Sequence, residues 1–321
     1  MKLSICIPAF NAEGAIRRCL ESTLAQELTD TEIVVIDNCS DDGTVAIASA
    51  VLAGVANSRV LKNESNVGRV GNWNRCITEA RGQFLKFVFT NDQLLPGSVA
   101  LLLKAMTQRD GIVMVGSKPL CSREMPQALP SVVKDASTTY RSSEETLEFF
   151  AGNGFLTGSL NGMLFDLNVI RSRGVKFRED IPYFADFAFS IELARYGDSA
   201  IIDAESYWFN AGADGRYHYV GLKRPRDFFL EHRVCTDLMA ELLAESSRNP
   251  EIAFNYLRER YYWYVGQGAG MRPRDAWAIF RGRIYDQISV AARTFWFQLR
   301  QGPALQSVGG DGIPAKECPQ L

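Results

Sequence analysis

Polar side chains that could bind a ligand follow three short apolar runs of the sequence. Asn11 comes after the first run, Asp37 ends the second, and Asn91 and Asp92 follow the third. The carboxylate of Asp37 can accept a hydrogen bond from the imide N–H of a uracil or thymine ring, and hard divalent cations prefer carboxylate ligands such as Asp92. Because ligands of open α/β sheets bind outside the carboxyl ends of the strands, we expect these side chains to converge at one edge of a sheet.

The apolar runs themselves predict the buried strands that would position these side chains. The predicted strands cover residues 3–7, 33–37, 84–89, 112–115, 161–166 and 199–203. Helical patterns cover residues 14–25, 44–54, 69–80, 97–107 and 184–196. This alternation predicts an α/β fold with a largely parallel sheet. A stretch rich in Ser, Pro and Thr at 117–143 breaks the alternation and is predicted to be a long loop of the kind that forms lids or is disordered.

The composition is that of an ordinary globular protein. The chain has 321 residues, a net charge of −2, 46% hydrophobic and 22% charged residues, which excludes disorder for most of its length and argues against nucleic acid as a partner. Seven cysteines without CxxC spacing and two histidines argue against a disulfide framework or a zinc site, so a metal ion would need oxygen ligands. No secretory signal is visible, and the apolar runs are shorter than the ~18 to 20 residues that cross a bilayer. We therefore expect a soluble or peripheral protein in the cytoplasm.

Four blocks of the sequence carry a resemblance to a known family. They read SICIPAFN at 4–11, EIVVIDNCSDDGT at 32–44, NVGRVGNWNRCITEARGQFLKFVF at 66–89 and NDQLLPG at 91–97. In this order, the chain resembles glycosyltransferase family 2, inverting enzymes with the GT-A fold. The resemblance implies a Rossmann-like α/β fold, a mostly parallel sheet flanked by helices. It also implies transfer of a sugar from a nucleotide-diphosphate sugar, by default a UDP-sugar, to a saccharide or lipid-linked saccharide, in surface polysaccharide synthesis.

The predicted domain organisation is a catalytic domain followed by a helical C-terminal extension. The GT-A catalytic domain would span residues 1–220, with a nucleotide-sugar half at 1–116 and an acceptor half at 117–220. A helical region rich in aromatic residues and Arg would follow at 221–301, and a flexible tail at 302–321. Neither the acceptor half nor the extension contains a motif that names the sugar, the acceptor or the linkage.

The donor nucleotide would bind to the first half of the catalytic domain. By the resemblance, the nucleotide-binding residues are Pro8, Phe10, Asn11, Asp37, Asn66, Gly68, Arg69, Asn74 and Asn91. Phe10 can lie against the face of a base, and Arg69, in a glycine-containing loop that enters a helix, can approach a phosphate. Asp37 has an alternative role as the cap of the helix that begins near Thr44, although Asp41 fits that role better.

The acidic metal motif of the family departs from its usual form in this chain. It usually ends in paired aspartates, and here the pair is Asn91 and Asp92. A divalent cation, Mn²⁺ or Mg²⁺, would neutralise the diphosphate leaving group, and Asp92 is its predicted ligand. Asn91 keeps an acceptor oxygen for a ribose hydroxyl but lacks the charge. The alternative is a catalytically degenerate protein that binds a nucleotide sugar or a glycan without turnover.

Inverting transfer requires a base that takes the proton of the acceptor hydroxyl. The family places an Asp at the start of a helix well after the metal motif, and in the matching segment YFADFAFSIELARYGD this residue is Asp186. Its alternative role is a charge that is favourable at a helix N-terminus. Glu179 and Asp180 are the nearest competing carboxylates, and Arg216 and His218 could help to hold the diphosphate.

The C-terminal region has an unusual combination of charge and aromatic residues. Residues 253–300 contain eight arginines, no lysine and three acidic residues, together with many Tyr, Trp and Phe side chains. Arg with interfacial aromatic residues suits a helix that lies on anionic lipid headgroups. One hypothesis is therefore peripheral contact with the inner face of the cell membrane. The other is that these aromatic residues pack onto the catalytic domain or form a dimer contact.

Overall fold

The computed structural model describes residues 2–26, 29–122, 128–132, 136–153, 159–210 and 225–246. The chain divides into two compact units, Met1–Gly215 and Arg216–Leu321. The first unit contains the elements that position the predicted site. The finer domain boundaries predicted from the sequence stay predictions.

The described residues form nine strands and eight α-helices. The strands are β1 (Leu3–Ala9), β2 (Thr31–Asp37), β3 (Ser58–Lys62), β4 (Phe84–Phe87), β5 (Gln93–Leu94), β6 (Ile112–Ser122), β7 (Thr138–Arg141), β8 (Met163–Asp166) and β9 (Asp198–Asn210). The helices are α1 (Ile16–Leu24), α2 (Thr44–Val51), α3 (Gly68–Glu79), α4 (Ser98–Thr107), α5 (Ser143–Asn153), α6 (Leu167–Arg173), α7 (Ala185–Leu193) and α8 (Pro225–Ser246). Short 3₁₀ turns cover Leu160–Gly162 and Ala194–Tyr196.

All nine described strands belong to one mixed sheet. Their order is β3-β2-β1-β4-β8-β6-β9-β5, and β7 pairs with β9 beside this path. The first four strands in this order run parallel to one another. β8 lies between β4 and β6 and runs antiparallel to both. β9 is parallel to β6 but antiparallel to β5 and β7. The predicted α/β class is confirmed, and the reversed β8 makes the sheet mixed beyond its parallel first half.

The parallel strands explain why their sequences are continuously apolar. Nearly every side chain of β1 and β2 is buried, because strands inside a parallel sheet are covered on both faces. In the register of the sheet, Ala9 at the end of β1 lies beside Asp37, which in turn lies beside Lys62 of β3. The three strands therefore end together, and the loops that follow them leave the sheet at one edge.

Helix α1 shows how the local sequence determines which face a helix buries. Its buried residues Ile16, Cys19, Leu20 and Thr23 recur at spacings of three and four residues. This spacing places them on one stripe of the helix. The first three belong to the hydrophobic core that also contains alternate apolar residues of β1 and β2, namely Leu3, Ile5, Ile7, Ala9, Ile33 and Val35.

The prediction of a long loop at 117–143 is wrong for much of this segment. β6 continues to Ser122 and pairs with β9, whereas β7 lies inside the predicted loop and pairs with the other side of β9. α5 begins at Ser143. These segments were not recognised as strands because the second half of β6 and all of β7 are half-buried or exposed, so they contain no continuous apolar run.

The described part of the C-terminal region is the helix α8, which lies where the sequence predicts helical structure. The predicted membrane-contact region 253–300 and the tail 302–321 lie outside the described residues. Within the residues that the structure describes, no helix combines the length and the apolar character needed to cross a membrane.

Gly82 allows β4 to enter the sheet in close contact with β1. A Cβ atom at this position would lie 2.7 Å from the carbonyl carbon of Leu3 and 2.7 Å from the backbone nitrogen of Ser4. We expect Gly82→Ala to lower the free energy of unfolding by about 1–3 kcal/mol, because the backbone of β1 must shift to admit the methyl group. Chemical denaturation measures this change. The control is Gly152→Ala in α5, where a Cβ meets nothing within 4 Å. Equal losses in the two variants would contradict the prediction.

Candidate functional site

The loops that follow β1 and β2 are held together by hydrogen bonds. The backbone N–H of Asn11 donates to Oγ of Ser40 at 2.9 Å, and Oδ1 of Asn11 accepts from the backbone N–H of Asp41 at 3.2 Å. The backbone N–H of Ala12 donates to Oγ1 of Thr44 at 2.7 Å. Asn11 has a φ of 45°, a left-handed conformation that these bonds stabilise. The two predicted donor-site loops therefore form one structural unit.

Asp37 anchors the beginning of the second loop. It is fully buried, and its carboxylate accepts hydrogen bonds from the backbone N–H of Ser40 at 2.9 Å and from the Ser40 hydroxyl. Asp37 does not cap α2. The N-cap residue of α2 is Gly43, so the preference for Asp41 in this role is not borne out either. Oδ1 of Asp42 accepts from the backbone N–H of Thr44, the first residue of the helix, at 2.9 Å. A carboxylate has about four lone-pair sites, so Asp37 keeps acceptor capacity beyond Ser40.

The remaining predicted residues on β1 and after β4 differ in exposure. Pro8 lies within β1 beside Ile36 and is half-buried. Phe10 is 50% exposed, which is unusual for a large apolar side chain among the described residues. Asn91 is also exposed, in the turn after β4. Phe10 and Asn91 thus lie at the carboxyl ends of strands that run in the same direction, where a ligand can reach them.

A network of asparagines fixes the loop between β3 and α3. Nδ2 of Asn38 donates to Oδ1 of Asn66 at 2.8 Å, and Oδ1 of Asn38 accepts from Nδ2 of Asn63 at 2.7 Å. Asn63 also donates to Oδ1 of Asn72 at 3.1 Å. Asn66 in turn accepts from the backbone N–H of Gly68 at 2.8 Å, and Gly68 has a φ of 78°. The predicted donor-site residues Asn66 and Gly68 are therefore held by side chains that lie partly in the core.

The first turn of α3 places Arg69 beside the segment that precedes α7. Its guanidinium carbon lies 5.0 Å from the centre of the Trp73 ring, and Nη2 donates to the carbonyl oxygen of Pro182. The positive charge of Arg69 also acts on Asp186. The predicted phosphate partner and the predicted base are thus neighbours, although 117 positions separate them in the numbering of the sequence.

Asn74 connects α3 to the segment that precedes α7. Nδ2 of Asn74 donates to the carbonyl oxygen of Phe177 at 2.9 Å, and Oδ1 accepts from the backbone N–H of the same residue at 2.8 Å. A further bond from Nδ2 reaches Oε1 of Glu179 at 3.3 Å. The carboxamide of Asn74 therefore positions the backbone at Phe177, in the predicted acceptor half.

The turn after β4 is tied to a buried asparagine. The backbone N–H of Asp92 donates to the carbonyl oxygen of Phe89 at 3.0 Å, which closes the turn. Oδ1 of Asn161 accepts from the backbone N–H of Phe89 at 2.7 Å, and Nδ2 of Asn161 donates to Oδ2 of Asp92. Below the turn, Nζ of Lys86 donates to the carbonyl oxygens of Asn161 and Phe87. Asp92 is only 5% exposed.

Burial shifts the protonation equilibria around Asp92. Burial lowers the pKa of the Lys86 ammonium to about 7, although the negative charge of Asp92 raises it in part. Burial also raises the pKa of the Cys19 thiol and of the Tyr207 hydroxyl, and the charge of Asp92 raises both further. The Cys19 thiol and the Tyr207 hydroxyl therefore stay neutral beside the Asp92 carboxylate.

An aromatic cluster joins α3, β4 and α7 beneath these polar groups. Trp73 stacks on Phe89 with a centroid distance of 5.3 Å and an interplanar angle of 21°. Phe177 contacts Trp73 edge-on at 5.3 Å, Phe87 edge-on at 5.6 Å, and Phe189 in a stacked arrangement at 4.0 Å. Phe189 lies one turn after Asp186 on α7, so the cluster determines where the helix start lies relative to β4.

Asp186 is on the first turn of α7, as predicted from the sequence. Its Oδ1 accepts from the backbone N–H of Phe187 at 2.8 Å. Burial raises the pKa of Asp186, and the charge of Arg69 and backbone hydrogen bonds oppose this increase. The competing Asp180 is exposed and forms an ion pair with Arg178 at 2.5 Å. Its charge is therefore engaged, whereas Asp186 is half-buried and has a raised pKa, which suits a proton acceptor.

The donor atoms near Asp92 do not fit a resident divalent cation. Within the described residues, no three His, Cys, Asp or Glu side chains come together as a metal site. The Asp92 carboxylate accepts a hydrogen bond from Asn161 and interacts electrostatically with Lys86. The oxygen of the Asn91 carboxamide carries no charge. Hard cations need several oxygen ligands, preferably charged. Metal binding by Asp92 remains a prediction that this donor set does not support. Arg216 and His218 lie outside the described residues.

The sequence matches the family description "Glycosyl transferase family 2" over residues 4–168, which is more than half of the chain. The chain belongs to this family. The matched segment contains both predicted donor-site loops, the asparagine network and the turn after β4. Divalent cations are common in glycosyltransferases of the GT-A fold, and a mannosyltransferase of similar fold from Pyrobaculum calidifontis has a structure with Mn²⁺.

Several relatives show how far the similarity extends. An uncharacterised Mycobacterium tuberculosis protein is 43% identical over 100 residues, 31% of each chain. The uncharacterised glycosyltransferase YibD of Escherichia coli is 27% identical and aligns with 69% of this chain and 65% of its own. TarS, a Staphylococcus aureus poly(ribitol-phosphate) β-N-acetylglucosaminyltransferase, is 21% identical and aligns with 85% of this chain and 47% of its own. The chain thus spans less than two thirds of the length of each of these relatives.

The structure of TarS residues 1–349 in complex with UDP-GlcNAc superimposes on this protein with a TM-score of 0.68 at 17% identity. The alignment covers 88% of this chain and 79% of the TarS chain. At this identity the similarity concerns the fold alone, and it confirms the predicted GT-A fold.

Sequence reasoning did not find several residues that hold the site together. Asn38, Asn63 and Asn72 are buried polar residues around the loop between β3 and α3, and Lys86 and Asn161 support the turn after β4. Signals for some of them were available. Asparagines are unusually frequent between residues 63 and 74, and Lys86 interrupts an otherwise apolar strand.

Proposed function

We propose that the protein is an inverting glycosyltransferase that moves a sugar from a nucleotide-diphosphate sugar to a saccharide or lipid-linked saccharide. The observation that carries this proposal is the position of Asp186. It is a carboxylate with a raised pKa on the first turn of α7, next to the Arg69 charge at the start of α3. A base and a cation for the leaving group are the two charges that direct displacement needs.

The donor nucleotide is proposed to bind along the loops that follow β1 and β2. Phe10 offers an exposed ring for the base, and Asp37 keeps acceptor capacity for an imide N–H. Asn91 offers its carboxamide oxygen to the ribose. TarS has been solved with UDP and with UDP-GlcNAc, which supports UDP as the nucleotide of this protein.

In the proposed reaction, Asp186 takes the proton of the acceptor hydroxyl as its oxygen attacks the anomeric carbon. The new C–O bond forms on the face opposite the diphosphate, so the configuration inverts. The bond between the anomeric carbon and the phosphate oxygen breaks, and the nucleoside diphosphate leaves with the electron pair. Arg69 stabilises the charge on the diphosphate.

The pH dependence of kcat/KM tests the partnership of Arg69 with Asp186. Because burial raises the pKa of Asp186, we expect the acidic limb of the profile to lie above the ordinary range of an aspartate. Arg69 opposes this shift, so Arg69→Gln should move the limb to higher pH, besides weakening donor binding. The control is Arg173→Gln, a change of charge near Tyr196. A limb that stays in place or moves to lower pH in Arg69→Gln would contradict the partnership.

The acceptor and the location of the protein are also proposals. TarS acts on poly(ribitol-phosphate), and this supports a saccharide or lipid-linked acceptor in surface polysaccharide synthesis. We propose a cytoplasmic protein that contacts the inner face of the membrane through residues 253–300. Flotation with anionic vesicles tests this contact, and a protein that stays at the bottom of the gradient would reject it.

The second candidate function is binding of a nucleotide sugar or glycan without turnover. It is favoured by the neutral Asn91 and by the engagement of Asp92 with Asn161. The two functions share a fold and differ only in whether the bound donor is consumed.

A ligand screen followed by a transfer assay distinguishes them. Thermal unfolding is measured with UDP, GDP, dTDP and CMP sugars, with Mn²⁺ and with EDTA. A ligand at one hundred times its dissociation constant adds about 2.7 kcal/mol of stability. Stabilisation by one donor, followed by acceptor-dependent release of its nucleotide, would support the transferase. Stabilisation without release from any acceptor would favour the binding protein, and no stabilisation by any donor would reject both.

A further inference from the structure

The turn formed by residues 89–92 is stabilised by hydrogen bonds from buried groups. Its backbone closes through the 3.0 Å bond from the Asp92 N–H to the Phe89 carbonyl. The same carbonyl also accepts a bond from Sγ of Cys19 at 3.6 Å. Thr90 and Asn91, the central residues of the turn, are half-buried and exposed. The turn thus presents Asn91 to the ligand side while its two ends point into the core.

The carboxamide of Asn161 holds both ends of this turn. Its oxygen accepts the Phe89 N–H, and its nitrogen donates to the Asp92 carboxylate. Asn161 is 0% exposed, and its backbone N–H donates a hydrogen bond to Oγ of Ser159. A fully buried carboxamide with both ends engaged has little freedom to rotate. It therefore sets the distance between the first and the last residue of the turn.

Lys86 is a fully buried amine that contacts Asn161 from within the core. Its Nζ donates to the main-chain oxygen of Asn161, and its side chain is 0% exposed. The charges of Lys86 and Asp92 act on one another across Asn161. Removal of either charged partner would leave the other uncompensated in the core.

We propose that Asn161 and Lys86 are positioning residues, which together with Asp92 form an internal clamp that shapes the 89–92 turn for the donor. In this role the carboxylate of Asp92 is a structural acceptor and not a cation ligand. The clamp deepens the proposed function and rests on it for its effect on the donor. Its structural part stands on the contacts alone.

Exchange of the two hydrogen-bonding groups tests the clamp. Asn161→Asp places a carboxylate oxygen against that of Asp92, and Asp92→Asn removes the charge that faces Lys86. Each single variant is expected to lower the thermal midpoint by several degrees and to weaken UDP binding about tenfold, because a buried group loses its partner. In the double variant, the new amide at position 92 can donate to the new carboxylate at position 161, and one carboxylate remains near Lys86. We therefore expect both readouts to return most of the way to those of the wild type. Asn168→Asp, on an exposed position of α6, is the control for the added charge.

The outcomes separate the clamp from a cation site. UDP binding is measured by calorimetry with Mn²⁺ and with EDTA, below the midpoints of all variants. Rescue by the double exchange, with the same response to Mn²⁺ as the wild type, would support the clamp. A double variant no better than the worse single variant would overturn it. So would a gain in UDP affinity from Mn²⁺ that Asp92→Asn abolishes.

If the single variants do not fold, a folded double variant supports the clamp and an unfolded one overturns it. If the wild type does not bind UDP, the proposed donor is wrong, and the thermal midpoints still decide on the clamp.

Discussion

Asp186→Asn is expected to reduce turnover by about 10²- to 10⁴-fold while leaving donor binding nearly unchanged, because the amide cannot accept the proton of the acceptor hydroxyl. The change conserves the size of the side chain, and its oxygen can still accept the 2.8 Å bond from the Phe187 N–H. Stability should therefore stay close to that of the wild type. Steady-state rates of nucleotide release, with and without acceptor, measure the effect.

Asp180→Asn is the matched control for this prediction. Asp180 lies six positions earlier, is exposed and is paired with Arg178. Its loss should change turnover by less than about threefold, since surface ion pairs contribute only about 0–1 kcal/mol. Normal turnover in Asp186→Asn would remove Asp186 from the proposed mechanism. A large loss in Asp180→Asn alone would instead identify Asp180 as the base.

Phe177→Ala is expected to destabilise the protein by about 3–5 kcal/mol, because it leaves a cavity in the centre of the aromatic cluster. Phe177 is 0% exposed and contacts the rings of Trp73, Phe87 and Phe189. The loss is a large part of the total stability of about 5–15 kcal/mol that globular proteins have. Chemical denaturation at fixed pH measures it.

Phe10→Ala provides a contrast within the same residue type. Phe10 is 50% exposed, so its loss should change the free energy of unfolding by less than about 1 kcal/mol. It should weaken donor binding instead, because it removes the surface proposed to contact the base. Similar losses of stability in the two variants would show that the aromatic cluster does not support α3 and α7 as described.

The strand-end residues show how much of the site the sequence could predict. Asn11 and Asp37 follow apolar runs, and parallel strands must end at a common edge, so their proximity follows from local patterns. Asp186 was predicted from the family resemblance of its segment, and its place on the first turn of a helix is confirmed, while its role stays a prediction. The mixed half of the sheet was harder, because β7 and the end of β6 are half-exposed strands without an apolar run.

The sequence by itself determined the family, the α/β class and the chemical types of the residues at the sheet edge, because these depend on motifs and periodicities within short segments. Only the tertiary structure decided which residues form hydrogen bonds with one another around the site. The bonds from Asn161 to Asp92, from Arg69 to Pro182 and from Asn74 to Phe177 join positions 69, 113 and 103 residues apart. Such bonds depend on the reversed β8 beside β4 and on the aromatic cluster below α7. No local pattern encodes them, since each partner satisfies its hydrogen-bonding capacity only after the distant segments have packed.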